Sequence, residues 1–404
     1  MALDLNQVAL QIEGMAAELK AGEKEREEHL RFALDTLHAK AADLDSLKRK
    51  IAVSKTTWLV AGLVDGLDQC HQLPQCPSRF TVLATDGSHI DVDRHRPTRC
   101  YLINIGSVIL HYGENPNAIL DSSPVLYSEK EDLSITDPSG SNREEPIAGA
   151  LLGIKRSVDE CRPLVRLAEG LPDDSPALAL LDGSLILWGL AGQAYPEFVT
   201  KIFLDDGLLK SLDDLRELSI KRQLAVASYI SFPRSTDVVN ALRVALCPHE
   251  PADCDRYCSG RNSSGTRDCD AVAGVSDREL FGMLLAQGER SPNFISRSSV
   301  VRNHYREHEV RFFYLRVDDE VARVEIPRWV AEGGNLLDLV HALVFDQCRR
   351  GQGYPVALSE AHEKAVVTGA DREQFWQLVE MALAEEHLPA PSSAKSQSKR
   401  TRWI

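Results

Sequence analysis

The chain has 404 residues, 43% hydrophobic and 26% charged, enough for two or three domains or one large domain with elaborations. No apolar run approaches the roughly 18 residues a membrane helix needs, and the first residues lack a basic segment followed by an apolar one, so the sequence predicts a cytoplasmic protein with no membrane span. Forty-six basic against sixty acidic residues give a formal charge of −14, which repels DNA on average and restricts any nucleic-acid surface to a local patch or to a partner.

The first 55 residues read as helix. Leu34, Leu37, Ala41, Leu44, Leu47 and Ile51 follow steps of three and four, and neither Pro nor Gly interrupts Glu23 to Val53. Such a helix packs on its own domain or on a second copy of the chain. Phe80 to Thr85 has the character of a buried strand that stops at Asp86-Gly87-Ser88, and Tyr101 to Leu110 forms a second strand rich in β-branched residues. Residues 113–145 read as an irregular excursion and Ile147 to Glu169 as helix, with Pro163 a hazard within it. Ala177 to Leu181 is a third apolar strand and runs into Asp182-Gly183-Ser184.

Helix is expected from Leu204 to about Ala227, from Val238 to Leu246 and from Asp277 to Gln287. Val310 to Val317 and Glu320 to Ile326 make a hairpin turned at Asp318-Asp319. A helix from Asn335 to Arg350 stops at Gly351 and Gly353, Tyr354 to Leu358 reads as a short strand, and a last helix spans Asp371 to Glu386. The tail 387–404 is basic (Lys395, Lys399, Arg400, Arg402) and has a disordered composition. Interleaved strands and helices define an α/β class with a mixed sheet. The expected domains are a helical region 1–72, a main domain 73–386 with a cysteine-bearing insertion 247–275, and the tail.

The doubled Asp-Gly-Ser is the most informative feature. An Asp at the end of a buried strand is costly unless something compensates it. Two such strands side by side would set Asp86 and Asp182 close enough to require a cation, and oxygen ligands select Mg²⁺ or Mn²⁺. The plainer reading is a pair of turns, because Asp-Gly and Gly-Ser are common turn residues. Glu160, 22 positions before the second motif, is either a third carboxylate leaning over the strand ends or a solvated helix residue. Near the C-terminus, Tyr354, Glu360 and His362 follow two glycines; His binds metal or moves protons, and also serves as a hydrogen-bonded structural residue.

Cys247, Cys254, Cys258 and Cys269 lie within 23 residues. Four thiolates close a tetrahedral Zn²⁺ site or hold an Fe–S cluster, with His249 in reserve, or are four unrelated cysteines in a polar loop. Arg290, Arg297, Arg302 and Arg306, with His304 and His308, make a local basic stretch that either grips phosphates or forms ion pairs.

The ordered set of Asp86-Gly87-Ser88, Tyr101-Leu102-Ile103-Asn104-Ile105-Gly106 and Leu181-Asp182-Gly183-Ser184-Leu185 resembles the NurA nuclease family. Phe312 to Leu315, Ala322 to Pro327 and Gly353-Tyr354-Pro355 through His362 continue the likeness over roughly residues 80–370. The resemblance implies an RNase H-like core and a Mn²⁺-dependent nuclease. It further implies a homodimer that works with the hexameric HerA ATPase in DNA-end resection and repair, as a 5′–3′ exonuclease, a single-strand endonuclease or both. On this resemblance Asp86 and Asp182 match the metal-binding aspartates, Glu160 (with Glu169 as fallback) the catalytic Glu, and Tyr354 and His362 the Tyr and His of the C-terminal motif. The four cysteines depart from the family pattern. The competing reading is a non-catalytic DNA-end clamp or an adaptor for the ATPase ring.

Overall fold

A computed structural model describes residues 3–93, 98–140, 142–172, 175–191, 195–258 and 267–389; the expected disordered tail lies almost wholly outside them. Two N-terminal helices, α1 (Leu5–Ala41) and α2 (Leu44–Val53), start on the side chains of Asp4 and Asp43. Strands β1 (Gly62–Leu63), β2 (Phe80–Ile90), β3 (Tyr101–Tyr112) and β4 (Asn117–Tyr127) follow, then the small pair β5 (Ser134–Thr136) and β6 (Glu144–Pro146). The order continues with α3 (Ala150–Glu169), β7 (Ala177–Asp182), α4 (Lys210–Lys221), β8 (Leu224–Ile230), α5 (Asp237–Leu246) and α6 (Asp277–Leu284). It ends with β9 (Phe294–Ile295), β10 (Val310–Val317), β11 (Glu320–Pro327), α7 (Leu336–Arg350), α8 (Val356–Ala365) and α9 (Gly369–Glu385). No helix among the described residues is long and apolar enough to cross a membrane.

Several elements differ from expectation. The N-terminal helix breaks at Ala42-Asp43, where Asp43 starts a new helix by accepting from the Ser46 N–H. β2 does not stop at Asp86, because its antiparallel partner β3 stays in register as far as Ile90↔Leu102. Residues 113–145 are not irregular: β4 pairs with β3 along its whole length. The helix expected to reach Ala227 ends at Lys221, and the fully apolar run beyond it is the buried strand β8. Tyr354 to Leu358 is not a strand; α8 begins at Val356, and Pro355, which cannot donate a backbone hydrogen bond, suits the position just before it. The hairpin at 310–327 and the helix over 336–350 are as expected.

The chain falls into two units. One gathers residues 1–73, 230–298 and 311–324. Ala33, Leu37, Leu47 and Ile51 of α1 and α2 share its core with Val238 and Leu242 of α5, Phe281 of α6, and Phe294, Phe312 and Tyr314. The strand order here is β1-β9-β10-β11. Asp277, fully buried, accepts from the backbone N–H groups of Val238 (3.1 Å) and Val239 (2.8 Å) and from the Tyr314 hydroxyl (2.6 Å), so it caps the first turn of α5. Burial, with Asp237 close by, pushes its carboxyl up to about 7 against those three bonds. The folded chain therefore keeps a proton on Asp277 that the unfolded chain releases above about pH 4. Stability from this group is present below pH 4 and is lost as pH rises through 7. Thermal midpoints between pH 4 and pH 8 should fall less steeply in Asp277→Asn than in the unaltered chain.

The other unit comprises residues 74–229, 299–310 and 325–404. Its sheet has the order β8-β7-β2-β3-β4, with β2, β3 and β4 an antiparallel meander and β7 and β8 parallel to β2. Side chains alternate between the faces of β2. Thr85 and Gly87 meet α3, where the Thr85 hydroxyl donates to the Glu160 carbonyl (2.9 Å) and Gly87 O accepts from Arg156 Nη1 (2.6 Å). Asp86 and Ser88 face α8 on the other side.

Candidate active site

The last registered pair of β2 and β7 is Thr85↔Leu181, so Asp86 and Asp182 occupy the next position on neighbouring parallel strands. Such strands lie about 4.8 Å apart. Glu160 comes from the middle of α3, on the opposite face from α8, and is 7% exposed. Burial pushes its carboxyl up to about 8; Arg156 opposes this, and Asp86, Asp182 and Asp159 add to it. Glu160 Oε1 makes no hydrogen bond, and Arg156 Nε stands 3.5 Å from it. Asp182 is also raised, first by burial and further by Asp86, against the hydrogen bond from Tyr354.

Two aromatic side chains hold the aspartates. His362 Nδ1 lies 2.8 Å from Asp86 Oδ2, and the Tyr354 hydroxyl donates to Asp182 Oδ1 at 2.8 Å. The Tyr354 ring stands edge-on to Tyr229, with centroids 5.6 Å apart. His362 with Asp86 and Tyr354 with Asp182 thus form two pairs at adjacent strand ends, and Glu160 lies near enough for both aspartates to raise its carboxyl. Glu169 lies apart: it ends α3 nine residues beyond Glu160, about 13 Å along the helix.

The short motifs have separate tasks at each position. Gly87 leaves room for Glu160, whose Oε1 would lie 2.7 Å from any Cβ added there. Ser88 and Asn104 secure the C-terminal end of α8: the Ser88 hydroxyl donates to Ala365 O, and Asn104 Nδ2 donates to Lys364 O (3.0 Å) and Ala365 O (2.9 Å). These bonds satisfy carbonyls that a helix end leaves open. Asn104→Ala should cost about 1–2 kcal/mol in stability and lower activity several-fold through loss of His362 placement; denaturant melts with activity assays measure both.

In the second motif, the Ser184 hydroxyl (2.7 Å) and Leu185 N–H (3.0 Å) both donate to the buried Glu325 carboxylate. The Tyr305 hydroxyl donates to Leu185 O (2.9 Å) and accepts from Leu187 N (3.0 Å). Arg156 and Tyr305 are supports that no sequence motif singles out, and Glu325 lies inside the stretch Ala322 to Pro327 without a role assigned to it there. For Glu325, the signal available was a charged residue inside the apolar run Val324-Glu325-Ile326.

The donor set suits a hard divalent cation: three carboxylates, one with a buried oxygen that makes no hydrogen bond, and a histidine beside Asp86. Among the described residues no three His, Cys, Asp or Glu side chains already stand in a metal-holding arrangement, and here Asp86 is turned to His362 and Asp182 to Tyr354. The four cysteines belong to the other unit and are free, half-buried thiols.

The basic stretch is not one surface. Arg290 is buried and donates to Ser291 O, Arg297 donates to Ile51 O, and His308 is buried against Asp213. Arg302 and Arg306 do reach solvent.

A sheet that sets paired aspartates on adjacent parallel strands, with a buried glutamate behind them, makes this an α/β protein with a carboxylate cluster at its strand ends. Residues 80–367 match the NurA domain, and the chain belongs to that family of nucleases acting on DNA. No curated protein matches it significantly. Among solved structures, the native crystal structure of prototype foamy virus protease-reverse transcriptase aligns with 41% of this chain and 19% of its own at 14% identity. Its TM-score is 0.21, too slight a likeness to carry an argument.

Proposed function

We propose that the chain hydrolyses DNA phosphodiester bonds at this site, with Asp86, Asp182 and Glu160 holding Mn²⁺ or Mg²⁺ and His362 completing the set. The observation that carries the reading is the matched position of Asp86 and Asp182 on β2 and β7, with the buried Glu160 of α3 close enough for both to raise its carboxyl and one of its oxygens without a hydrogen bond. A pair of such cations supplies a water of lowered pKa and counter-charge for the leaving oxygen.

The chain's own groups do the rest. Asp86 fixes the His362 ring by one nitrogen, and His362, 61% exposed at its side chain, presents the other outward, where it either completes the metal shell or takes and gives a proton. Tyr354 orients Asp182 with its one hydroxyl proton and can accept from a water beside it. The strand order β8-β7-β2-β3-β4, a meander followed by two parallel strands, supports an RNase H-like core.

The finer activity is 5′–3′ exonuclease action, single-strand endonuclease action or both, in DNA-end resection. The chain acts as a homodimer fed by a HerA-type hexameric ATPase, and the net charge of −14 supports a partner that brings DNA to an otherwise repelling surface. These parts rest on the family. The test is degradation of end-labelled single- and double-stranded DNA with Mn²⁺, Mg²⁺ or a chelator, with and without the ATPase. Metal-dependent loss of label supports the reading; DNA bound but intact in every metal replaces it with the end clamp or adaptor.

A further inference from the structure

The cysteine-bearing stretch has no part in that reaction. We propose that Cys247, Cys254, Cys258 and Cys269 hold a structural Zn²⁺ that ties the turn at 254–258 and the short helix at 268–272 to the end of α5.

Backbone and side-chain bonds gather the four residues around the end of α5, although without the metal their thiols do not yet stand in a holding arrangement. Cys247 closes α5, its N–H donating to Arg243 O at 3.1 Å. Arg243, one turn earlier on the same face, donates to Cys269 O (3.3 Å) and to Asp270 (3.2 Å), which lays Cys269 beside the last turn of α5. Cys254 is anchored where α2 leaves off: its N–H donates to Lys55 O (2.9 Å), and Lys55 N–H donates to Ala252 O (2.8 Å). Lys50, near the end of α2, donates to Cys247 O, so the same helix end holds both halves of the set. Cys258 N–H donates to Cys254 O at 2.9 Å, and this single turn sets the two side chains on one face.

The chemistry agrees with the placement. All four are unpaired thiols, none fully exposed. Soft thiolates select Zn²⁺ over the hard cations suited to the carboxylate site, and Cys254-x3-Cys258 falls within zinc-knuckle spacing. Four thiolates around Zn²⁺ leave two negative charges, which Lys50 and Arg243 stand near to offset. His249 is engaged elsewhere, stacked on Tyr257 with ring centroids 3.9 Å apart.

The test is metal content and thiol reactivity of the full-length protein. Elemental analysis should find about one zinc per chain, falling to near zero in Cys258→Ser and Cys269→Ser but kept in Cys70→Ser, which alters an exposed thiol outside the set. Because either variant in the set can misfold, a second measurement uses the unaltered chain. Zinc added after chelator stripping should protect these four cysteines, and not Cys70, from alkylation mapped by mass spectrometry. Zinc retained in both variants, alkylation indifferent to zinc, or a brown iron–sulfide chromophore in fresh protein would each overturn the proposal.

Discussion

Asp86→Asn and Asp182→Asn should each lower metal-dependent DNA degradation on the order of a thousandfold or more while leaving the fold intact. Asparagine keeps an oxygen that can accept the Tyr354 hydrogen bond at position 182 and can meet His362 at position 86, so local geometry survives and charge alone is removed. Asp86 and Asp182 each push the Glu160 carboxyl upward by repulsion, and relieving that repulsion favours the metal-free fold. Both variants should therefore melt at or above the temperature of the unaltered chain, as expected where a functional cluster is held at some cost in stability. Activity and thermal midpoint falling together would assign the two carboxylates to structure instead.

Gly106→Ala carries the largest expected effect on the scaffold. A Cβ at this position would lie 2.1 Å from Ala361 O, 2.6 Å from Ala365 N and 2.9 Å from Lys364 C, all backbone atoms of α8 that no rotamer change can move. The helix must lift from β3, loosening the Ser88 and Asn104 bonds at its C-terminal end and withdrawing His362 from Asp86. Overpacking of this kind costs about 3 kcal/mol. Denaturant unfolding should show that loss, together with a fall in nuclease activity of at least tenfold when measured at a temperature where the chain is still folded. An unchanged midpoint would mean that α8 does not sit on β3 as closely as described.

The site was more legible in the sequence than the sheet around it, for physical reasons. An Asp closing a run of apolar residues violates the usual economy of burial, so Asp86 and Asp182 stand out; their matching positions on neighbouring strands make the doubled motif meaningful. Glu160 had no such mark, since its burial depends on Gly87 across the sheet and not on its neighbours in α3. β8 was misread because Leu224-Ala225-Val226-Ala227 is apolar on both faces, and a fully buried strand carries no alternation to separate it from helix. β4 was missed for the opposite reason: it lies at the edge of its sheet with nearly every residue exposed, so neither face is patterned. Ser88 and Asn104 lay inside recognised motifs, but their work of closing a helix some 260 residues further on is invisible until the chain is folded.

The interleaved make-up of the two units bears on how the chain matures during synthesis. The apolar faces of α1 and α2 emerge first, yet their partners Val238, Leu242, Phe281 and Tyr314 follow some two hundred residues or more later. Until then Leu37, Leu47 and Ile51 have only the nearby Val60, Ala61 and Leu67 of this core to cover them, a long exposure for a nascent polypeptide. Trimming to residues 74 onward would strip Val238 and Leu242 of their cover and invite precipitation, so dissection of this enzyme calls for point changes, not shortened fragments.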